Sequence, residues 1–350
     1  MIQMKTPSIP TQIEVFAELG KKIACLLETD FFDAVVKQQS IENKWFTEEN
    51  CRFALQAIAN MLDKESLALF FQKYHDFFQK KQRPQKIAVI SAGNIPCAAF
   101  HDFFCILVSG NQFIGKLSKQ DALLLPLLSK LLIEIEPDWK ERIVFVDKLP
   151  RFDKVIATGN NNSARYFEYY FKNHPLLLRK NRNSVAILTG IETEVDLSKL
   201  SIDVFQYFGL GCRSVSKLYV PKNYDFQKLV EIFQEQTNAL LLHTGYANNY
   251  EYHRAIYSLN NKPFYDGNSF LLVENQSLAS PIAVIYYEEY ESIGEVREKV
   301  QKIAPEIQCI VAESFLFENS IHFGDTQSPT LLDYPDKEDI MKFCMLNVPE

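Results

Sequence analysis

Between Lys86 and Ala157 four short strand-like runs alternate with apolar helical stretches, and that alternation restricts the chain to an α/β fold built on a parallel sheet. The first run, Lys86-Ile87-Ala88-Val89-Ile90, is compact and β-branched, as a strand covered on both faces is. It leads through Ser91-Ala92-Gly93-Asn94-Ile95-Pro96 into an apolar helix over Ala98 to Val108. After the turn Ser109-Gly110-Asn111 comes a second strand, Gln112 to Leu117. Ser118-Lys119-Gln120-Asp121 then opens a helix, with Ser118 or Asp121 as its cap and a buried body from Leu123 to Ile135. Strands at Arg142 to Val146 and Lys154 to Ala157 complete a doubly wound pattern. The last one ends in Thr158-Gly159-Asn160-Asn161-Asn162-Ser163 before a helix from Ala164 to Lys172. Helix-start amides at the carboxyl end of a strand favour nucleotide phosphates, although a capped turn with nothing bound is the plainer reading. No GxGxxG or Walker sequence occurs, which argues against an ordinary dinucleotide fingerprint or a P-loop.

Upstream, residues 11 to 82 read as helices, with apolar residues at helical spacing in Ile13, Phe16, Leu19 and in Leu55, Ile58, Leu62. Phe70, Phe71, Tyr74, Phe77 and Phe78 form an aromatic face that reads as core packing, and His75 within it reads as solvated or packed. A length of 350 residues allows about two domains of ~100–200 residues each. The net charge of -7 supplies no basic excess for a nucleic-acid backbone, so nucleic acid is excluded as the expected partner. No apolar run reaches the ~18 residues of a membrane span, and the N-terminus lacks a signal-peptide core; the expectation is a soluble, cytoplasmic protein. The seven cysteines are scattered without a CxxC pair, and His243 and His253 lack metal-ligand spacing. Most thiols are therefore expected in the core, and no metal is assigned.

From about Ile191 a second α/β unit begins. It contains helices at Asp225 to Asn238 and Asn249 to Leu259, strands at Ser269 to Glu274 and Ile282 to Tyr286, a helix at Glu295 to Lys302 and a strand at Gln308 to Ala312. The run Glu288-Glu289-Tyr290-Glu291 reads as a solvated loop. Within this unit Phe208-Gly209-Leu210-Gly211-Cys212-Arg213-Ser214 places a cysteine in a glycine-flanked turn ahead of the strand Val215 to Val220, which stops at Pro221. Two readings stand: a nucleophile, with Arg213 a local contributor to thiolate stability, or a buried inert thiol. The domains are expected at 1–190 (helical N-terminal region and cofactor half), 191–320 (nucleophile half) and 321–350 (C-terminal segment). That last segment packs back on the first half or forms a dimer contact.

The ordered series Gly93-Asn94-Ile95-Pro96, Gly110-Asn111-Gln112-Phe113-Ile114-Gly115-Lys116-Leu117-Ser118, Ala157-Thr158-Gly159-Asn160 and Gly209-Leu210-Gly211-Cys212 resembles the aldehyde dehydrogenase superfamily. With the block His322-Phe323-Gly324-Asp325-Thr326-Gln327-Ser328-Pro329, the resemblance is to its LuxC-like fatty-acyl-CoA reductases and covers about residues 85 to 345. It implies an aldehyde dehydrogenase-like fold of two doubly wound α/β domains, one cofactor-binding and one catalytic, behind a helical N-terminal region. Cys212 is then the acyl-accepting thiolate. Asn94 and the Cys212 backbone amide are donors to the oxyanion. Lys116 matches the lysine that holds the adenosine ribose of the nicotinamide cofactor, with Ser118 in the same turn. Gly159 and Asn160 match the turn at the pyrophosphate, and Phe323 stands at the substrate end.

Two departures from the superfamily pattern carry chemistry. Three residues after the cofactor lysine, where the hydrolysing members carry an acid, stands Lys119, which implies NADPH ahead of NADH unless the lysine is only solvated. The stretch Leu178 to Ile187, which would hold the water-activating glutamate, has no acid. Water attack on an acyl-enzyme is then slow, and a thiol such as coenzyme A becomes the acyl carrier. Arg179, Lys180 and Arg182 there read as a basic solvated loop or as phosphate contacts. Gln276-Ser277-Leu278-Ala279-Ser280-Pro281 likewise lacks the cofactor-positioning glutamate. The implied activity is reduction of an acyl-CoA, or another acyl thioester, to an aldehyde by a cytoplasmic enzyme, as a homo-oligomer or with an acyl-transfer partner enzyme. An acyl-phosphate reductase and a catalytically silent nucleotide- or partner-binding protein are the alternatives.

Overall fold

The computed structural model describes residues 7–79, 83–313 and 316–346. The N-terminus read for a signal segment, and the ends of the expected 11–82 helical region and of the C-terminal segment, lie outside the described residues. Two units emerge, one up to Asn181 and again from Pro329, the other Arg182–Ser328. The changeovers thus fall at 181/182 and 328/329, against the expected 190/191 and 320/321.

The first unit opens with α1 (Ile9–Leu27), α2 (Asp30–Glu42), α3 (Glu48–Met61), α4 (Lys64–Lys73) and the single turn α5 (His75–Phe78). The first four start where an oxygen-bearing side chain caps the first turn: Ser8, Thr29, Thr47 and Asp63 accept from Thr11, Phe32, Asn50 and both Glu65 and Ser66 amides. The apolar stripe of α1 is buried at Phe16, Leu19 and Ile23, with the Phe16 ring 4.9 Å from Phe104. Phe70, Phe71 and Tyr74 are core residues and His75 is exposed.

Next come β1 (Lys86–Ile90), α6 (Phe100–Val108), β2 (Gln112–Lys116), α7 (Leu124–Ile135), β3 (Ile143–Phe145), β4 (Lys154–Thr158), α8 (Asn161–Tyr170) and β5 (Leu176–Arg179). The strands form one parallel sheet in the order β3-β2-β1-β4-β5. The chain winds outward from β1 to β3 and then crosses to the other side of β1, so β1 and β4 flank a topological switch point. Ligands of open α/β sheets settle at the carboxyl ends of the strands there.

The second unit contains β6 (Asn183–Ile187), α9 (Glu194–Phe205), β7 (Val215–Pro221), α10 (Gln227–Thr237), α11 (Thr244–Leu259), β8 (Tyr265–Asp266), β9 (Leu271–Glu274), β10 (Val284–Tyr290), α12 (Ile293–Lys302) and β11 (Ile307–Val311). Its sheet runs β11-β6-β7-β10-β9-β8, parallel except where β8 meets β9. Strand β6, hidden in the sequence behind a basic run, explains the earlier changeover, because its buried Ser184 to Ile187 belong to this sheet. The solvated-loop reading of Glu288 to Glu291 is corrected: Glu288 to Tyr290 are the end of β10. Glu288 accepts there from the buried Lys217 and, at 2.7 Å, from Lys299. A pair of lysines converging on one carboxylate holds it ionised, and its pKa lies below the usual carboxylate value despite the burial that opposes this.

After Ser328 the chain returns to the first unit and forms α13 (Ile340–Met345). Lys154, fully buried at the start of β4, donates to the carbonyls of Phe343 (2.7 Å), Cys344 (3.0 Å) and Leu346, and Asn111 Nδ2 reaches Cys344 O at 3.1 Å. These groups satisfy carbonyls that a helix end leaves unpaired. Burial draws the Lys154 ammonium down to about 8.

Candidate active site

In the second unit the nucleophile loop is built from its neighbours inward. Tyr207 (φ 56°), Phe208 (φ 57°) and Gly209 (φ 74°) are all left-handed, so the distortion starts two residues before the glycines, at side chains that resist it. The Phe208 ring packs at a tilt against His243 (4.5 Å between centroids) and Tyr246 (5.8 Å), and Tyr207 is buried. Packing of this kind is what sustains a backbone cost of ~1–3 kcal/mol per such residue. The turn closes with Ser214 N–H donating to Gly211 O at 3.0 Å, and Cys212 stands partly exposed at the amino end of β7. Between β6 and β7 the register slips past Ser216, a bulge of the sort that re-aims side chains beside active sites.

Four polar residues fix this loop and the block that faces it. Ser184 of β6, fully buried, donates to Cys212 O (2.9 Å) and accepts from the Cys309 amide (3.0 Å). Asp203 of α9, also fully buried, accepts from the Gly324 amide (2.7 Å), the Thr326 amide (3.0 Å) and the Thr326 hydroxyl (2.7 Å). Burial pushes Asp203 up to about 6 against these three bonds. The block it holds reaches back to the nucleophile: Arg213 Nη1 donates to Thr326 O (3.3 Å) and to Cys309 Sγ (3.5 Å), and Gln327 Nε2 to Ser214 Oγ (3.3 Å). Residues 322–328 and the Cys212 turn therefore share one corner of this unit. Phe323, expected at the substrate, is 5% exposed and packs into the core beside Leu200 and Val204, while His322 is exposed. In this unit Phe323 is a core ring that anchors the block. Ser216 Oγ and Lys217 Nζ, donating to Leu278 O and Gln276 O at 2.8 Å each, pin the 276–281 loop along β7.

In the first unit, Asn94, Lys116, Ser118, Lys119, Gly159 and Asn160 all fall at the carboxyl edge of the sheet. Lys116 Nζ donates to Asp147 O at 2.9 Å, and the exposed Lys119 opens a turn capped by Ser118 Oγ, which accepts from Gln120 N–H at 3.2 Å. Gly93 and Ser118 are in direct contact: a Cβ at 93 would lie 2.6 Å from Ser118 Oγ. Across β1, Asn160 caps α8 by accepting from Ser163 N–H at 2.8 Å, and a Cβ at Gly159 would lie 2.9 Å from Phe167 and Ser163. Two lysines, a bare glycine turn and the start of α8 on one sheet edge are a donor set suited to a phosphate-bearing dinucleotide. Arg179 is neither a solvated residue nor a phosphate contact: it is buried in a two-pronged ion pair with Asp102, at 2.7 and 2.5 Å. Lys180 pairs with Glu168 on the surface at 2.9 Å.

Ser184, Asp203 and, in the first unit, Gln39 and Asn43 escaped the sequence reading, which took Asp121 only as a helix cap. Their one signal is a polar residue on an otherwise buried face, as Gln39 follows Phe32 and Val36 along α2. Among the described residues no group of acids, histidines and cysteines is arranged to hold a metal, and no helix is long and apolar enough to cross a membrane.

No family model matches the chain, and no curated protein matches it in sequence. Solved structures do match. Aldehyde dehydrogenase 21 from Physcomitrella patens, in complex with the reaction product succinate, superposes with a TM-score of 0.66 at 11% identity, over 98% of this chain and 85% of that one. An NAD-dependent benzaldehyde dehydrogenase from Corynebacterium glutamicum gives 0.63 at 11% identity, over 93% and 84%. An NADP-dependent glyceraldehyde-3-phosphate dehydrogenase from Bacillus halodurans, complexed with NADP, gives 0.54 at 13% identity, over 88% and 74%. The chain has the two-domain α/β fold of the aldehyde dehydrogenases.

Proposed function

We propose that the protein is an NAD(P)H-dependent oxidoreductase of the aldehyde dehydrogenase superfamily, and within it an acyl-CoA reductase of the LuxC-like kind. The observation that carries the reading is the Cys212 turn. A partly exposed thiol sits at a strand entrance whose carbonyl, flanks and facing block are each fixed by a buried polar partner. A nucleophile needs that preorganisation and an inert core thiol does not. The Cys212 thiolate attacks the acyl carbonyl of a thioester, a C–S bond forms, the bond to the coenzyme A sulfur breaks and its thiolate leaves. The Cys212 backbone amide is a donor to the transient oxyanion, a role that the resemblance also gives to Asn94. The nicotinamide, when bound, supplies the hydride that takes the acyl group to the aldehyde level, and Cys212 recovers its thiolate as the aldehyde departs. The segment that would carry a water-activating acid is instead the end of β5 and the buried strand β6, with Arg179 committed to Asp102, which supports a thiol rather than water as acyl partner.

Incubation with acyl-CoA in the absence of nicotinamide, followed by mass spectrometry of the intact chain and its peptides, tests this. One acyl adduct on the Cys212 peptide, removed by Cys212→Ser, is expected. The exposed Cys25 is the internal control, because the other described thiols are buried. Acylation by acyl phosphates and by no thioester would assign the chain to acyl-phosphate reduction, and an adduct confined to Cys25 would contradict a nucleophilic Cys212.

A further inference from the structure

Two loops at the carboxyl edge of the first sheet carry the residues assigned to chemistry and to the cofactor. Residues 91–99 hold Asn94, and residues 118–123 hold Ser118 and Lys119. Both are tied to α2, a helix outside the α/β sandwich, by two buried carboxamides. Asn43, at the end of α2 and 5% exposed, donates from Nδ2 to Gly93 O at 3.0 Å and to Gln120 O at 3.5 Å, while its Oδ1 accepts from Trp45 N–H at 3.1 Å. Gln39, fully buried one turn earlier, donates from Nε2 to Gln120 O at 2.9 Å and accepts at Oε1 from Leu123 N–H at 3.1 Å. The loops also hold each other: Ser118 N–H donates to Ser91 Oγ at 3.2 Å, and the Asp121 carboxylate accepts from the backbone N–H groups of Cys97 and Ala98. Asn94 itself is exposed between these anchors, fixed through Gly93 on one side and through Cys97, whose φ is 54°, on the other.

We propose that Gln39 and Asn43 of α2 are positioning residues, a polar clamp that locks the Asn94 loop to the Ser118–Lys119 turn so that cofactor occupying the turn also fixes Asn94. The inference rests on the proposed cofactor role of that turn. Apolar side chains at 39 and 43 would bury this face of α2 equally well, as Phe32 and Val36 already do. Carboxamides that must be desolvated contribute what grease does not, a single register between two backbone carbonyls and an amide. Gly93 completes the arrangement, because no Cβ fits between the loops and they have no slack to slide.

The clamp is tested by amide hydrogen exchange of the full-length protein with and without NADPH, in the parent, Asn43→Leu, Gln39→Met and the packing control Val36→Ala. In the parent, NADPH is expected to slow exchange in both the 118–123 and the 91–99 peptides. In Asn43→Leu and Gln39→Met the slowing is confined to 118–123, with kcat for thioester reduction lower by roughly tenfold or more and its KM nearly unchanged, as misplacement of a catalytic group predicts. Val36→Ala, which loosens the same helix without touching the clamp, keeps the coupled response. Gln39→Met cuts only the Gln120 and Leu123 links, so it remains informative if Asn43→Leu fails to fold. Coupled slowing that survives both clamp variants, or is lost equally in Val36→Ala, overturns the clamp. A parent protected only at 118–123 overturns it while leaving the cofactor assignment intact. A parent that responds to neither NADPH nor NADH removes the cofactor assignment and the clamp together.

Discussion

Asp121→Asn should make the first unit more stable at pH 8. Asp121 is 3% exposed, accepts the Cys97 and Ala98 amides, and leaves Oδ1 without a hydrogen-bond partner. Burial raises it from 3.8 to about 7, the two amide bonds opposing the shift. The folded unit therefore holds this proton more tightly than the unfolded chain does. Its contribution is complete below pH 3.8, is lost as pH rises through about 7, and is flat beyond. Over that window the carboxylate costs the fold about 4 kcal/mol, of which about 3 kcal/mol falls between pH 5 and pH 8. Asparagine keeps an acceptor for the two amides and cannot ionise, but its NH₂ group stands where Oδ1 found no partner, a cost of about 1–3 kcal/mol. The variant should match the parent near pH 5 and exceed it by about 1–3 kcal/mol at pH 8. Both tryptophans, Trp45 and Trp139, lie in this unit, so urea titrations followed by tryptophan emission at pH 5, 6.5 and 8 read it directly. A stability difference that does not change with pH, or a parent that gains on the variant as pH rises, would refute the reasoning.

Arg179→Met leaves Asp102 buried without its cation and should cost about 3–5 kcal/mol in the same emission-monitored titration, whereas Arg179→Met combined with Asp102→Leu should recover most of that loss. Lys119→Asp should shift the ratio of kcat/KM for NADPH over NADH toward NADH by about tenfold or more, the worth of one charge-assisted contact to a ribose phosphate, measured by initial rates with each cofactor.

The first sheet was legible because its strands are β-branched runs set between glycine and asparagine turns, and β1, β2 and β4 lie within a residue of where those runs end. Strand β6 was not, because a basic run precedes it and its serine is buried by partners distant in sequence, Cys212 and Cys309. Glu288 read as loop because a carboxylate inside a buried strand makes sense only once Lys217 and Lys299 converge on it. The turn at Cys212 was legible from its glycines. The left-handed backbone at Tyr207 and Phe208 was not, since no residue type announces it and the ring contact with His243 that sustains it is tertiary. The clamp at Gln39 and Asn43 was invisible for the same reason: a carboxamide on a buried helix face becomes meaningful only when the carbonyls it meets are known.

The central claim is thioester reduction through Cys212. Its most direct test is NADPH oxidation with a panel of acyl-CoA thioesters, the aldehyde followed as product, comparing the parent with Cys212→Ala. The account predicts aldehyde formed one for one with NADPH consumed, and its complete loss in Cys212→Ala while cofactor binding is retained. Turnover that survives Cys212→Ala, or no aldehyde from any thioester by a parent that binds NADPH, would contradict it.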